Sequence, residues 1–598
     1  MLESGSYQIF DGKVVIRSRD RVCMNPDELL ASGLFFETLK QFIELLQKKD
    51  SKLLRIFENQ QIGDRDLKLL VKTMRFLVNL SADLVPKVLD GSDQFLKDPY
   101  LFNDFIEQLY NYWRSLHRVM VCDSFWNNSD QRPYRTFNDT VETLMHVVRS
   151  AYRDIQENLT GNHPRVYRQV SAGVEVGAIA APKEIDYPNE TYRKLNSIPV
   201  IRQVLIYPPM IFNSPSNKRS GTFERIDQNP LENIEIDSKD WLCYPAKVGP
   251  LLVMIYFSVS LFELGFSLSN LFELADDVDL ERKPDAVYLF GHAAGPQQPG
   301  VNETVFFEDE ENDLLIGAVP LRDQYAYFGY LKKMVLTLHN IKMMHRGRLP
   351  FHGAMVNIGL RNQADKTVLI VGDTGAGKSE TLEALRSIGA DLLEDLVIIA
   401  DDMGSLTVGE DGRVLGYGTE IGAFVRLDDL QSGYAFGQID RAIIMNPDKV
   451  NARVVLPVTR YEEVIRGYPV DIVLYANNYD EVNGHNPVIE RFRSAEDALD
   501  VFRDGAVMSK GTTSTTGLVK SYFGNIFGPV QYQDVHDELA DDYFQAMFGS
   551  HTFVGEIRTQ LGIHGMEHEG PVAAARALLD ALKNGMPESR PQIESYKE

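Results

Sequence analysis

The sequence predicts an α/β protein in which a mixed-sheet P-loop domain follows an added all-α N-terminal domain. Three observations lead there. The segment Gly372-Asp373-Thr374-Gly375-Ala376-Gly377-Lys378-Ser379 matches G-x-x-x-x-G-K-[ST], and it lies between a run of strand length and a helix-forming stretch. Apolar residues in the first quarter recur at helical spacing. The composition, 44% hydrophobic and 24% charged, is that of a globular chain.

At 598 residues the chain exceeds one ordinary core. Four segments are expected: a helical domain over 1–160, a mixed α/β domain over 165–300, a P-loop nucleotide-binding domain over 300–585 and a polar tail over 585–598. In the first, Phe35, Leu39, Phe42, Ile43 and Leu46 share a helix face, as do Leu67, Val71, Met74, Leu77 and Val78. Phe102, Phe105, Ile106, Leu109, Trp113 and Leu116 form a third stripe, and Phe137, Val141, Leu144, Met145, Val148 and Tyr152 a fourth. Asp98-Pro99 reads as a cap and first turn, and Pro26-Asp27-Glu28 as a similar start.

From about 165 the texture changes to short β-rich runs, such as Val200–Ile206, separated by Pro, Asn and Ser clusters. The apolar run from Val248 to Phe262 falls short of the roughly 20 residues that a membrane helix needs, and it reads as a buried helix. Met1–Gly5 has neither a basic start nor an apolar core, so no signal peptide is expected. The net charge of −24 argues against nucleic acid as a partner. Three scattered cysteines, Cys23, Cys122 and Cys243, argue against a disulfide framework and for a reducing cytoplasm.

In the second half, Thr367–Val371 reads as a strand and Glu380–Leu385 as a helix, with the Gly-rich loop between them. A second apolar run, Leu396–Ala400, ends in Asp401-Asp402. Glycines let backbone N–H groups turn inward around phosphate oxygens, and the following helix N-terminus favours negative charge. Lys378 is placed to neutralise β- and γ-phosphates and Ser379 to ligate a divalent cation, with Asp401 and Asp402 as oxygen ligands. A lone His352, or Lys332-Lys333 taken alone, would carry little weight.

Their order carries more. Tyr327-Phe328-Gly329-Tyr330-Leu331-Lys332-Lys333 precedes Phe351-His352-Gly353, the P-loop, Asp401-Asp402, Glu420-Ile421-Gly422 and Asn451-Ala452-Arg453. Over about residues 300–585 this series resembles the phosphoenolpyruvate carboxykinase family. The P-loop with His352-Gly353 upstream also resembles HPr kinase/phosphorylase, which offers no counterpart to Lys333. The carboxykinase resemblance implies a catalytic domain of that type, using ATP or another nucleotide with Mn²⁺ and Mg²⁺. It implies a transition-metal site made by Lys333, His352 and Asp402. It also implies a small carboxylated substrate facing Tyr327 and Arg453, with Arg453 stabilising the transferring phosphoryl group. Arg426 falls where the family has a phosphate-contacting lysine, and Thr512, in Lys510–Ser514, where it has a nucleotide-contacting loop.

The chain also departs from the family. Met403-Gly404-Ser405 follows the Asp pair in place of Glu-His-Gly, Glu420-Ile421-Gly422 replaces Glu-Gly-Gly, and no N-terminal Arg-Ser-Pro-Lys-Asp motif occurs. Arg219 and Arg225 are the candidates for the missing substrate arginine. The expected function is metal-dependent conversion of oxaloacetate and a nucleoside triphosphate to phosphoenolpyruvate and CO₂. The alternatives are an HPr-kinase-like kinase of a protein serine or small-molecule hydroxyl, and a nucleotide-binding regulatory protein that engages a protein partner through its helical domain.

Overall fold

The computed structural model describes residues 6–588 apart from 11, 19–21, 59–60, 124–132, 163–170, 220–221, 295–301, 362, 390–391, 428–438, 511–515, 529–531 and 551. The protein is mixed α/β, and it divides into two compact units. One comprises Met1–Glu184, Leu195–Met210 and Asp237–Cys243; the other comprises Ile185–Lys194, Ile211–Ile236 and Tyr244–Glu598. Among the described residues no helix is long and apolar enough to cross a membrane.

The first unit contains the four expected helices, Gly33–Lys48, Asp64–Leu77, Pro99–Ser115 and Pro133–Thr160. Asp98 caps the third by accepting from the backbone N–H groups of Tyr100 and Leu101, and Asn25 caps the short Pro26–Leu30 helix through Glu28 N. The unit is not all-α. It opens with strands Ser6–Phe10 and Lys13–Ser18, and the second pairs in parallel with His117–Asp123, which in turn pairs in parallel with Val176–Ala181. These strands are short, and Val14, Val15 and Ile16 are buried in succession, as are Val119, Met120 and Val121. A strand buried on both faces shows no alternation, so the neighbouring helical stripes dominate the pattern.

In the second unit the apolar run after Gly249 is strand Leu251–Ser258, not the expected buried helix; the chain turns helical at its end, in a 3-10 turn Val259–Leu261 and helix Phe262–Ser267. The strand lies parallel to Ala286–His292, and that one to Leu314–Pro320. Every residue of Leu251–Ser258 is buried, which erases the period that separates a strand from a helix.

A second sheet of this unit positions the candidate site. Lys366–Val371 pairs in parallel with Ile472–Asn477, and this with Phe553–Arg558. On its other side it pairs antiparallel with Leu349–Leu360. Helices Lys378–Ile388 and Glu569–Asn584 pack on this sheet through Ala384, Leu385, Ala574 and Leu578, against Val356, Val368, Ile370 and Leu474.

Candidate active site

The long strand Leu349–Leu360 brings the motifs together. Its second half pairs with Leu393–Ala400 and its first half with Met403–Val408. Asp401-Asp402 therefore falls in the break between two consecutive strands, and Gly353 N bonds Asp402 O at 3.0 Å. Across the other edge Gly372 N, at the entry to the P-loop, bonds His352 O at 3.2 Å. His352-Gly353 thus lies between the phosphate loop and the acid pair. A Cβ at position 353 would stand 2.5 Å from Ile370 O, so this crossing requires glycine.

The loop has the expected setting, with strand Lys366–Val371 before it and helix Lys378–Ile388 after it. Thr559 Oγ1 donates to Ala376 O at 2.7 Å and Asn478 Nδ2 to Gly375 O at 2.9 Å, which holds the loop from the ends of neighbouring strands. Lys378 Nζ folds back onto the carbonyl oxygens of Gly372 at 2.6 Å and Asp373 at 3.0 Å. Burial lowers its pKa. A polyphosphate in the loop would offer this cation stronger acceptors than two carbonyls.

Asp402 is the hub of the charged cluster. Its Oδ1 lies 2.9 Å from His352 Nε2, and its Oδ2 accepts from Lys332 Nζ at 2.8 Å and Lys333 Nζ at 3.0 Å. Both lysines project from the first turns of helix Phe328–His345, and Lys332 also meets Glu420 Oε1 at 3.3 Å. Burial opposes the charge on Asp402, but Lys332, Lys333 and His352 outweigh it and hold the carboxyl well below the usual carboxylate range. Burial likewise opposes the Lys332 charge, and Asp402 and Glu420 overcome it and raise its pKa. Lys333 shares the carboxylate with Lys332 and lies near Arg219, so burial prevails and brings it down to about 8. Burial pushes Asp401 up to about 6 and Glu420 up to about 7, and it lowers His352.

The imidazole carries a further constraint. His352 Nδ1 contacts Gly524 O, an acceptor only, so Nδ1 carries the hydrogen. In the neutral ring Nε2 then presents a lone pair to a carboxylate oxygen 2.9 Å away. Two facing electron pairs require a proton or a metal ion between them. Among the described residues no trio of His, Cys, Asp and Glu comes together in metal-ligand geometry. A metal here would need the Lys333 amine as its third protein ligand.

One cleft of about 820 Å³ is lined by Thr374, Gly375, Gly377, Lys378 and Ser379 of the loop, and by Lys333, His352, Asp401 and Asp402. Tyr327, Arg426 and Arg453 also line it. Arg426 and Arg453 are direct partners across the antiparallel strands Gly422–Arg426 and Arg453–Pro457. Arg453 lies over the Phe424 ring at 5.4 Å and hydrogen-bonds Tyr327, whose hydroxyl pKa burial raises. Its Nε is buried with no hydrogen-bond partner among the described residues. Gly372, Asp373 and Ala376, also expected to bind the nucleotide, are not among the residues lining the cleft, and Thr512 lies outside the described residues.

Of the two candidate arginines, Arg219 lines the cleft, between the rings of Phe223 at 5.5 Å and Phe527 at 5.9 Å. Arg225 pairs with Glu308 at 3.2 Å and lies over Tyr532 at 5.4 Å, and it is not among the residues lining the cleft. Sequence reasoning singled out neither the Lys332–Glu420 pair nor Phe527, whose ring lies 3.8 Å from Lys333 Nζ. The Lys-Lys and Glu-x-Gly segments contained the signal for the first; an isolated Phe carries none. No protein-family model matches this chain, and a search of curated proteins finds no match.

Proposed function

We propose that the protein is a metal-dependent phosphoryl-transfer enzyme of the carboxykinase kind, converting oxaloacetate and a nucleoside triphosphate to phosphoenolpyruvate, CO₂ and the diphosphate. The observation that carries this reading is that a single cleft is lined by both the P-loop and the Lys333–His352–Asp402 cluster. A binder of nucleotide alone has no need of the second set. Cys23, Cys122 and Cys243 are thiols rather than disulfides, which supports a reducing, cytoplasmic setting.

In this reading Gly375, Gly377 and Lys378 cradle the triphosphate, and Ser379 holds its Mg²⁺. Asp402, His352 and Lys333 form a mixed oxygen and nitrogen donor set that suits Mn²⁺, and the bound ion would stabilise negative charge on the enolate oxygen. Arg219, Arg453 and Tyr327 bind and orient the dicarboxylate, the Arg453 Nε offering an uncommitted N–H. The bond from C3 to the departing carboxylate breaks and leaves its electron pair in the enolate. The enolate oxygen then attacks the γ-phosphorus in line, and the bridging oxygen leaves with the diphosphate. Arg453 and Lys378 offset charge on the phosphoryl oxygens in flight.

The test is to supply Mn²⁺, oxaloacetate and either ATP, GTP or pyrophosphate, and to measure phosphoenolpyruvate. Product with one donor supports the reading, and none with any donor overturns it. A second reading, transfer to a hydroxyl, is favoured by Asp401. It lines the same cleft with its carboxyl pushed up to about 6, which suits a proton acceptor. Nucleotide-derived phosphate on a serine or small-molecule hydroxyl, without phosphoenolpyruvate, would select it.

A further inference from the structure

Two apolar clusters build the first unit. One contains Leu30, Met74, Ile106 and Ile155; the other contains Ile16, Val22, Leu34 and Leu144. A cavity of about 90 Å³ lies between them, and all eight of these side chains belong to its wall. Its wall is almost wholly apolar, so this pocket where two cores meet suits an apolar occupant.

The wall decides what the occupant can be. Ser32 Oγ accepts from Phe35 N at 3.1 Å, and Thr38 Oγ1 donates to Leu34 O at 2.8 Å. Trp113 Nε1 donates to Ala172 O at 2.7 Å, and the Tyr152 hydroxyl donates to Glu107. Each of these four groups already has a partner within the protein. A water molecule needs two to four polar partners, and voids lined by aliphatic and aromatic side chains instead stay dry and take up benzene or xenon. A carboxylate or ammonium group would surrender its hydration with no counter-charge in the wall.

We propose that this cavity is a binding site for a small uncharged apolar molecule, an aromatic ring or a compact branched alkyl group. The site is built wholly from the first unit, and it does not depend on the phosphoryl-transfer reading.

Ala151, buried in the wall, gives the means to test it, because its methyl can be replaced by a ring that fills the space. Fluorobenzene is titrated into the full chain and followed by ¹⁹F NMR. The expected result is saturable binding at one site, weakened about tenfold or more in Ala151→Phe. Equal affinity in the two proteins, or no saturable binding to the unmutated chain, overturns the proposal. Should Ala151→Phe fail to fold, xenon with the unmutated chain decides. A ¹²⁹Xe shift that saturates supports the site, and one that stays linear in xenon pressure, as for diffuse surface contact, overturns it.

Discussion

His352 Nε2 lies 2.9 Å from Asp402 Oδ1 across fifty residues of sequence, and Lys332 and Lys333 together occupy the other oxygen of the same carboxylate. The carboxylate is thus the group that the two adjacent buried cations share, with Glu420 assisting at Lys332. Asp402→Asn is expected to lower stability by about 3 kcal/mol, because it takes the shared counter-charge from both ammonium groups and leaves Lys332 only Glu420 among the described contacts. Lys333→Met in the same background should recover part of that loss by removing one of the cations. A double-mutant cycle by urea denaturation checks this, and additive effects would show that the pair is not coupled.

The phosphate loop depends on a glycine in the left-handed region. Gly377 has φ +92°, and a Cβ there would stand 2.6 Å from Thr559 Oγ1, which is itself bonded to Ala376 O. Gly377→Ala is expected to weaken nucleotide binding by about tenfold or more, with only a modest fall in melting temperature. Titration with a fluorescent nucleotide reads the effect, and unchanged affinity would count against the cradle.

Acid should destabilise the protein through His339. Burial, with Arg348 and Arg346 nearby, lowers its pKa to about 4, although a hydrogen bond with Asn340 Oδ1 opposes the shift. Its Nε2 is buried without a hydrogen-bond partner among the described residues. The unfolded chain takes up this proton near pH 6.5 and the folded chain only near 4, so the stabilisation is whole above about 6.5 and is lost as pH falls toward 4. The loss amounts to about 3 kcal/mol from this group. Denaturation of the unmutated chain and His339→Gln at pH 7.5 and 4.5 isolates it. The difference between the two should shift toward the variant in acid, and parallel curves would refute the assignment.

Arg118 closes the end of helix Pro99–Ser115. It is 2% exposed and donates Nε to Gly173 O at 2.6 Å, and Nη1 to Trp113 O at 2.8 Å, Arg114 O at 3.0 Å and Leu116 O. Arg118→Met removes the guanidinium donor from these carbonyls and should cost about 3 kcal/mol in a urea melt. Arg118→Lys should restore little, because one ammonium cannot reproduce the guanidinium fork.

Much of the cleft was legible in the sequence because its chemistry is carried by order along the chain. A strand, a Gly-rich loop ending in Lys378-Ser379, a helix and a strand ending in Asp401-Asp402 are local patterns, and the structure contains each of them. Lys332 and Lys333 illustrate the limit. Hydropathy alone reads them as a solvated helix face, yet Lys332 is 1% exposed because Asp402 and Glu420 neutralise it from distant segments. The strand Leu251–Ser258 and the strand carrying Val14–Ile16 were illegible for a different reason. Burial on both faces removes the alternation by which a strand is recognised. The choice of Arg219 over Arg225 needed three dimensions, since the two lie within one short basic stretch and differ in that Arg219 lines the cleft while Arg225 pairs with Glu308.

The most direct measurement of the central claim is Mn²⁺-dependent transfer of the γ-phosphoryl group to oxaloacetate, in the unmutated chain and in Lys333→Met, with nucleotide affinity measured alongside. The account predicts phosphoenolpyruvate from the unmutated chain, and none above background from Lys333→Met while that variant still binds nucleotide. Full phosphoenolpyruvate formation by Lys333→Met, or none from the unmutated chain with any nucleotide, would contradict it.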